Sequence, residues 1–327
     1  MKIGKLSSED LQELIIGKIN YKNEEVYLKP TVGEDCAAIS FDDYACVVST
    51  DPITGTASEV GKLAVHISCN DVASSGIRPI GLLLTILVPE SVTKEELGYI
   101  MQQASEEADK VGVDIIGGHT EVTNAVNRVV VSSTAIGKQL KTKLVKTSGA
   151  RVGDAILITK TAGLEGTGII GFEKEEELLS FMSKDEIQGC KNMLDQISVV
   201  PEGVLCGDFG VTSMHDVTEG GVLGALWEVC EASKTGCEIY NEHITVSPLT
   251  QKICDHYKID PLKLISSGTM LITVEASRSN DLLSKLNGSG IEASIVGNVR
   301  EHNYGLKFAD CDRMVESPGS DELYKVI

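Results

Sequence analysis

Three aspartates stand in separate segments of the chain and could bind one cation together. Asp35 precedes the strand-like run in "TVGEDCAAISF", and Asp51 closes the strand-like run "YACVVSTD". Asp71 lies in "ASEVGKLAVHISCNDVASSG", whose apolar residues have helical spacing. Two or three carboxylates, completed by waters and phosphates, are the usual ligands of Mg²⁺. Convergence of the three would make a magnesium site; the alternative for each is a turn or capping role.

Asp71 is the most informative of the three. At 100° per residue it falls on the same helical stripe as Val60 and Ile67. A carboxylate on a buried stripe is costly unless hydrogen bonds, a cation or a solvent-filled cleft meet it. The C-terminal end of a helix also disfavours an anion. The open alternative is that the helix ends earlier and Asp71 caps a turn.

The segment "IIGGHTEV" reads as a strand that runs into a glycine turn. Backbone N–H groups at Gly117 and Gly118 could approach a phosphate there, although a simple tight turn explains the glycines equally well. His119, directly after them, could be a base or a ligand, or a hydrogen-bonded structural histidine.

The segment "HDVTEGGVLGALWEV" places Asp216, Thr218 and Glu219 before or at the start of a helix. Such a helix N-terminus could hold an anion, or Asp216 and Thr218 could cap it. A third segment, "GTGIIG", fits the dinucleotide-binding template, but it does not directly follow a strand and does not lie in an N-terminal βαβ unit. We therefore do not interpret it as a cofactor site.

The elements that must position these residues alternate between strand-like and helical patterns. The clearest helix is "VTKEELGYIMQQASEEADKVG", in which Thr93 and Glu96 form a capping box and Gly112 ends the helix. The mixture predicts an α/β or α+β fold. A basic segment without either period suggests a solvated linker at 141–149, between domains at 1–140 and 150–327.

Charge and cysteine usage exclude several classes of protein. A formal net charge of −19 over 327 residues repels nucleic acid and anionic membranes, so we expect neither as a partner. The longest apolar run, "IGLLLTILVP", is about half as long as a membrane span. Nine cysteines without CxxC spacing, and an acidic amphipathic N-terminus, indicate reduced thiols in a cytoplasmic protein.

An ordered set of motifs resembles the aminoimidazole ribonucleotide (AIR) synthase related superfamily. The motifs are "VGEDCAAIS", "STDPITG", "GKLAVHISCNDVASSGIRP", "GGHTEV", "GARVGDAILITKTAGLEGTGII", "MHDVTEGGVLGAL" and "SSGTMLITV". The superfamily includes AIR synthase, selenophosphate synthetase, thiamine-monophosphate kinase and the hydrogenase-maturation carbamoyl dehydratase HypE, and the HypE-like members look most similar. The resemblance implies two α/β domains, a homodimer whose N-terminal domains form a barrel-like core, and ATP with Mg²⁺ in the cleft between the domains.

The resemblance also implies roles for individual residues. Asp35, Asp51 and Asp71 would hold magnesium at the phosphate end, with Thr50 and Asn70 beside them. The nucleotide would lie along Gly117, Gly118 and Thr120. Asp216 and Glu219 would face the site from the second domain. Together with Asp71, and with His119 from the segment "IIGGHTEV", they are the candidate catalytic residues.

The function implied is ATP- and magnesium-dependent activation of a small carbonyl, amide or phosphate substrate by phosphoryl transfer. This chain departs from the dehydratase because it has no cysteine at its C-terminal end, where it reads "SPGSDELYKVI". Two alternatives therefore stay open: a thiamine-monophosphate-kinase-like activity, or a nucleotide-binding maturation factor with a partner protein and little turnover of its own.

Overall fold

The computed structural model describes residues 4–54, 59–311 and 313–327. The strands are β1 (Val26–Leu28), β2 (Ala37–Phe41), β3 (Tyr44–Ile53), β4 (Pro79–Val88), β5 (Asp114–Val122), β6 (Val130–Leu140), β7 (Asp154–Thr159), β8 (Ser213–Asp216), β9 (Gly236–Ile239), β10 (Met270–Glu275), β11 (Ala293–Arg300) and β12 (Leu306–Phe308). The α-helices are α1 (Ser8–Asp10), α2 (Val60–Ser74), α3 (Lys94–Val111), α4 (Leu164–Glu173), α5 (Glu175–Leu178), α6 (Lys184–Asn192), α7 (Val200–Phe209), α8 (Gly221–Ser233), α9 (Pro248–Tyr257) and α10 (Ser279–Gly288). A π turn at Leu11–Ile15 extends α1.

The strands form two six-stranded sheets. The first has the order β1-β2-β3-β6-β4-β5 and the second β12-β9-β11-β7-β10-β8. Neighbours are antiparallel except β4 with β5 and β12 with β9. One apolar core runs from the first sheet through α2 to α4 and α6, so the two halves of the chain share buried side chains.

Helix α2 connects the two halves, because it packs on β3 and β6 of the first sheet and on α7 and β8 of the second half. Its residues are buried on almost every side, with Ile67 as the exception. The buried stripe that we expected is present, but α2 lacks the solvent-exposed face that an amphipathic helix would have. The helix continues to Ser74, so Asp71 lies within it and does not cap a turn.

Strand β3 runs two residues beyond Asp51, through Pro52 to Ile53. The expectation that the strand closes at Asp51 was therefore wrong. Strand β2 pairs with β3 only as far as Val48, so β3 has one open edge beyond that point. A proline is tolerated at an open edge because it needs no acceptor for the missing N–H.

Strand β5 passes straight through the glycine pair, so the expected turn at Gly117 and Gly118 is also wrong. An added Cβ at Gly118, whose φ is +148°, would lie 1.9 Å from the carbonyl oxygen of Leu84 on β4. The glycine is needed for close strand packing next to a bulge in the β4–β5 pairing.

Local signals elsewhere are confirmed. Helix α3 has the Thr93–Glu96 capping box and a left-handed Gly112 at its C-terminal end. The "GTGIIG" segment lies inside α4, which agrees with rejecting it as a dinucleotide loop. All nine cysteines lie in the described residues and are free thiols.

The segment at 141–149 contains two 3₁₀ turns, at Lys141–Lys143 and Thr147–Gly149. Val145 and Thr147 are buried, so the segment is not the wholly solvated linker that we expected. Of the helices in the described ranges, none combines the length and apolar character that crossing a bilayer requires.

Candidate active site

A cleft of about 370 Å³ lies between the two halves of the chain. One side is formed by the end of β3 and by α2, which contribute Asp51, Leu63, Ile67 and Asp71. The other side is formed by α4, the β8–α8 loop and the C-terminal segment. These parts contribute Glu165, Ile169, Thr218, Glu219, Leu323 and Tyr324, and the segment before β10 adds Ile265 and Ser267. Lys5 and Arg128 also line the cleft.

Asp71 faces this cleft from α2, one turn beyond Ile67. Its side chain is 7% exposed, and its Oδ2 accepts a hydrogen bond from Ser49 Oγ at 2.5 Å. Burial raises the pKa of Asp71 well above its usual range, and the nearby carboxylates of Asp216 and Asp51 raise it further. The structure therefore provides what a carboxylate on a buried stripe requires: a hydrogen bond from Ser49 and a cleft in which a ligand can bind.

Asp35 lies two residues before β2 and pairs with a residue of the second half of the chain. Its Oδ1 is 2.5 Å from His215 Nδ1, and His215 Nε2 is 2.8 Å from Glu228 Oε2. Burial lowers the pKa of His215, but Asp35 and then Glu228 outweigh it and raise the pKa well above its usual range. His215 is thus held as an imidazolium that ties Asp35 to the second sheet.

Asp216 ends β8 beside this pair and is fully buried. Neither of its carboxylate oxygens has a hydrogen-bond partner among the described residues, and the same is true of Asp35 Oδ2. Burial and the charge of Asp35 raise the pKa of Asp216 to about 8. Ligand atoms of Asp35, His215 and Asp216 lie within 4.8 Å of one another.

Glu219 lies in the loop between β8 and α8 and is fully engaged. Its Oε1 accepts from the Tyr324 hydroxyl at 2.7 Å, and its Oε2 accepts from the backbone N–H of Lys5 at 3.1 Å. The Lys5 ammonium donates to Thr218 Oγ1 at 3.1 Å. Enclosure lowers the pKa of Lys5, but Glu228, Glu219 and other carboxylates outweigh it, so the pKa is raised. The N-terminal and C-terminal segments therefore meet in the cleft.

Two residues with expected roles beside the aspartates lie elsewhere. Thr50 points to the opposite face of β3, where it bonds to Ser133 O and Thr134 Oγ1. Asn70 is fully buried and uses both ends of its amide, donating to Ile197 O at 2.8 Å and accepting from Val199 N at 2.9 Å. Both side chains are engaged in structural bonds, and neither lines the cleft.

The β5 residues Gly117, Gly118, His119 and Thr120 are exposed and lie outside the cleft. Three strand spacings separate β5 from β3, or about 14 Å. His119 contacts Glu121 at 3.5 Å. Within one chain, His119 therefore does not join the aspartates as a base, because the sheet order separates them.

Sequence reasoning missed His215 and Glu165 as functional candidates. His215 was visible only as the first letter of "HDVTEGG"; of its two partners, Asp35 is remote in sequence, and Glu228 lies 13 residues further along the chain. Glu165 lies in the first turn of α4, inside the segment that includes the rejected glycine motif. A buried glutamate in an apolar helix was the signal that could have identified it.

Two family models cover most of the chain. The model of the N-terminal domain of AIR synthase related proteins matches residues 33–139, and the model of the C-terminal domain matches residues 151–307. A Methanocaldococcus jannaschii protein named as a hydrogenase expression/formation protein is 27% identical over an alignment of 337 residues, covering 99% of this chain and 97% of that protein. The carbamoyl dehydratase HypE of Cupriavidus necator is 28% identical over 308 residues, covering 91% of this chain and 84% of that protein.

Solved structures share the fold over nearly the whole chain. HypE in a HypE–HypF complex has a TM-score of 0.78 at 24% identity, covering 94% of this chain and 99% of that one. AaThiL complexed with AMPPCP and TMP has a TM-score of 0.77 at 18% identity, covering 98% and 99%. HypE in complex with ATP has a TM-score of 0.69 at 21% identity, covering 98% and 94%.

Proposed function

Because the chain belongs to the AIR synthase related family, we propose that it is an ATP- and Mg²⁺-dependent enzyme that activates a small carbonyl, amide or phosphate substrate by phosphoryl transfer. The expected two-domain AIR-synthase-like fold of mixed α/β type is confirmed. The curated relatives include carbamoyl dehydratases, which are enzymes, so the prediction that the chain is an enzyme is confirmed. The magnesium, the phosphoryl transfer and the acceptor are the parts that we add.

One observation carries the proposal: four buried or half-buried aspartates lie close enough together for the charges of Asp35 and Asp51 to raise the pKa values of Asp71 and Asp216. Asp35 has an imidazolium partner, but the pKa values of Asp71 and Asp216 are both raised, first by burial and then by neighbouring carboxylates. The oxygens of Asp216 have no partner in the described part of the chain. A set of close, buried carboxylate oxygens, some of them without a hydrogen-bond partner, fits a hard cation such as Mg²⁺.

In this proposal Asp51, Asp71, Asp35 and Asp216 would hold magnesium. When bound, magnesium neutralises charge that develops on the transferred phosphoryl group. The chain's own residues supply position. Ser49 orients the Asp71 carboxylate, and His215 fixes Asp35 between the two halves of the chain.

The experiment that tests the site compares Asp71→Asn with wild type. Mg-ATP should raise the melting temperature of the wild type, and the variant should largely lose that rise. Asp281→Asn, an exposed aspartate on α10, is the matched control and should keep it. An undiminished rise in Asp71→Asn would refute the magnesium assignment.

A thiamine-monophosphate-kinase-like activity is the second candidate. The observation in its favour is the likeness to AaThiL, which spans 98% of this chain. Measuring ADP release with thiamine monophosphate decides between the two. Acceptor-dependent release would favour the kinase, and absence of release would leave the first proposal as the better one.

A nucleotide-binding maturation factor is the third candidate, and the HypE–HypF complex among the structural neighbours supports it. Such a protein would bind Mg-ATP but turn it over only with its partner protein. ADP release from small-molecule acceptors in the absence of any partner would rule this candidate out.

We also propose that the chain forms a homodimer through the outer face of the first sheet. Large apolar residues are exposed on these strands, including Phe41, Ile80, Leu83 and Ile116. Light scattering should give a dimer, and Ile116→Asp should dissociate it, whereas Val152→Asp, at an exposed position outside the strands, should not. The domain limits at 140 and 150, the cytoplasmic location and the nucleotide contacts of β5 stay predictions.

A further inference from the structure

Glu165 is a buried carboxylate for which the proposed chemistry has no use. It lies in the first turn of α4, is 4% exposed and lines the cleft. Its Oε2 accepts one hydrogen bond, from the backbone N–H of Ser267 at 3.3 Å. None of the ion pairs among the described residues includes it. A buried carboxylate without a cation is costly and points to a ligand.

Ser267 provides an independent observation at the same place. It is fully buried and lines the cleft, and its hydroxyl lies close enough to Glu165 to lower the pKa of that carboxyl, yet it makes no hydrogen bond of ordinary geometry within the part of the chain that the structure describes. A buried hydroxyl without a partner is uncommon. Glu165 and Ser267 together present an acceptor of hydrogen bonds and a hydroxyl that can act either way.

The neighbouring Glu219 shows what a carboxylate with a full set of hydrogen-bond partners looks like in this cleft. Both of its oxygens accept hydrogen bonds, and beside it the Lys5 ammonium is bound to Thr218. The cleft thus already holds one protonated nitrogen among acidic side chains. Glu165, by contrast, has no lysine or arginine beside it within the described residues.

The walls around Glu165 limit what can fill the space. Ile169, Ile265 and Leu323 line the cleft with it. Asp321 and Glu219 add negative charge near Glu165. An anionic group such as a phosphate would be repelled there, and a volume of about 370 Å³ is at the small end for ligand pockets.

We propose that Glu165 and Ser267 form the subsite for the acceptor of the proposed reaction, and that they bind a protonated nitrogen, either an ammonium or a guanidinium, on a small molecule. The carboxylate pairs with the cation, the Ser267 hydroxyl accepts a second N–H, and the apolar walls contact the attached carbon chain. The acceptor role rests on the proposed function, whereas binding at the subsite is a property of these residues alone.

The test uses four probes that share a short carbon chain. They are ethylammonium, methylguanidinium, propionamide and ethyl phosphate, and their binding is measured by ligand-observed NMR at pH 8. We expect the two cations to bind at least tenfold more tightly than ethyl phosphate, because the latter meets like charge. Binding of the phosphate as tightly as the cations, or absence of cation binding, would overturn the inference.

Variants locate the binding. Glu165→Gln should weaken cation binding tenfold or more, and Ser267→Ala should weaken it several-fold. The control is Glu322→Gln, because Glu322 is also buried but is already paired with Lys325. Unchanged cation binding in both Glu165→Gln and Ser267→Ala would overturn the inference. If Glu165→Gln does not fold, Ser267→Ala alone decides.

The same variants separate this inference from the proposed function. The rise in melting temperature with Mg-ATP should persist in Glu165→Gln, because the variant leaves all four aspartates in place. A wild type that binds the cations but not Mg-ATP would refute the proposed function and retain the subsite. The reverse result would refute the subsite alone.

Discussion

Replacing Glu165 by Gln should make the protein more stable at alkaline pH. Burial raises the pKa of Glu165 from its ordinary value of 4.5 to about 7, and contacts with Ser267 oppose this shift only in part. Between these two pH values the folded state therefore holds more protons than the unfolded state. The stability of the wild type consequently falls as the pH rises through that window. Glutamine keeps the shape of the protonated side chain and has no proton to lose.

The size of the effect follows from the shift. A difference of about 2.5 pKa units corresponds to about 3 kcal/mol, at roughly 1.4 kcal/mol per unit. An unfolding entropy of about 2.1 cal/mol/K per residue gives roughly 0.7 kcal/mol/K for this chain, so we expect a gain of about 4–5 °C. The gain should be near zero at pH 4.5 and complete at pH 8.

Thermal unfolding followed by circular dichroism at a series of pH values measures the difference between variant and wild type. Glu322→Gln is the control for removing a buried carboxylate. Unlike Glu165, Glu322 is paired with a lysine, the exposed Lys325, so its removal tests the loss of a buried carboxylate that already has a cation. A difference between Glu165→Gln and wild type that stays constant from pH 4.5 to pH 8 would contradict the reasoning.

Four further substitutions test the packing arguments by urea unfolding. Gly118→Ala should lower the free energy of unfolding by about 3 kcal/mol or more, because its Cβ would meet the Leu84 carbonyl. Gly98→Ala, at an exposed helix position where an added Cβ would have nothing within 4 Å, should raise it by roughly 1 kcal/mol. Asn70→Ala should lower the free energy of unfolding by about 2–4 kcal/mol, because two buried backbone groups lose their partner. If this variant still folds but its melting temperature no longer rises with Mg-ATP, Asn70 binds nucleotide and its role is not only structural. Thr93→Ala should cost about 1 kcal/mol by removing the cap of α3, and no change would mean that the cap is open in solution.

The sequence allowed accurate prediction where the signal was local. The capping box and terminal glycine of α3 belong to one stretch of chain, and the structure has both. The glycines of "IIGGHTEV" were misjudged because a glycine required by a neighbouring strand looks the same in sequence as one required by a turn. What distinguishes them is the carbonyl of Leu84, more than thirty positions away.

The candidate site was predictable only in part, for a related reason. Asp71 could be recognised because its helical stripe is apolar, so a carboxylate there is conspicuous. The pairing of Asp35 with His215 depends on how the two sheets meet across α2. The distance of His119 from the aspartates within one chain also depends on sheet order, since a strand shows which residues share a face but not which strand lies beside it.

The burial of α2 on almost every side has a consequence for how the protein folds. An N-terminal fragment ending near residue 140 would keep the first sheet but lack α7 and β8, which cover the other side of α2. Such a fragment would expose a long apolar helix to water and tend to aggregate. The helix that carries Asp71 can reach its final environment only after both halves of the chain have been synthesised, so the candidate site is completed in the last stage of folding.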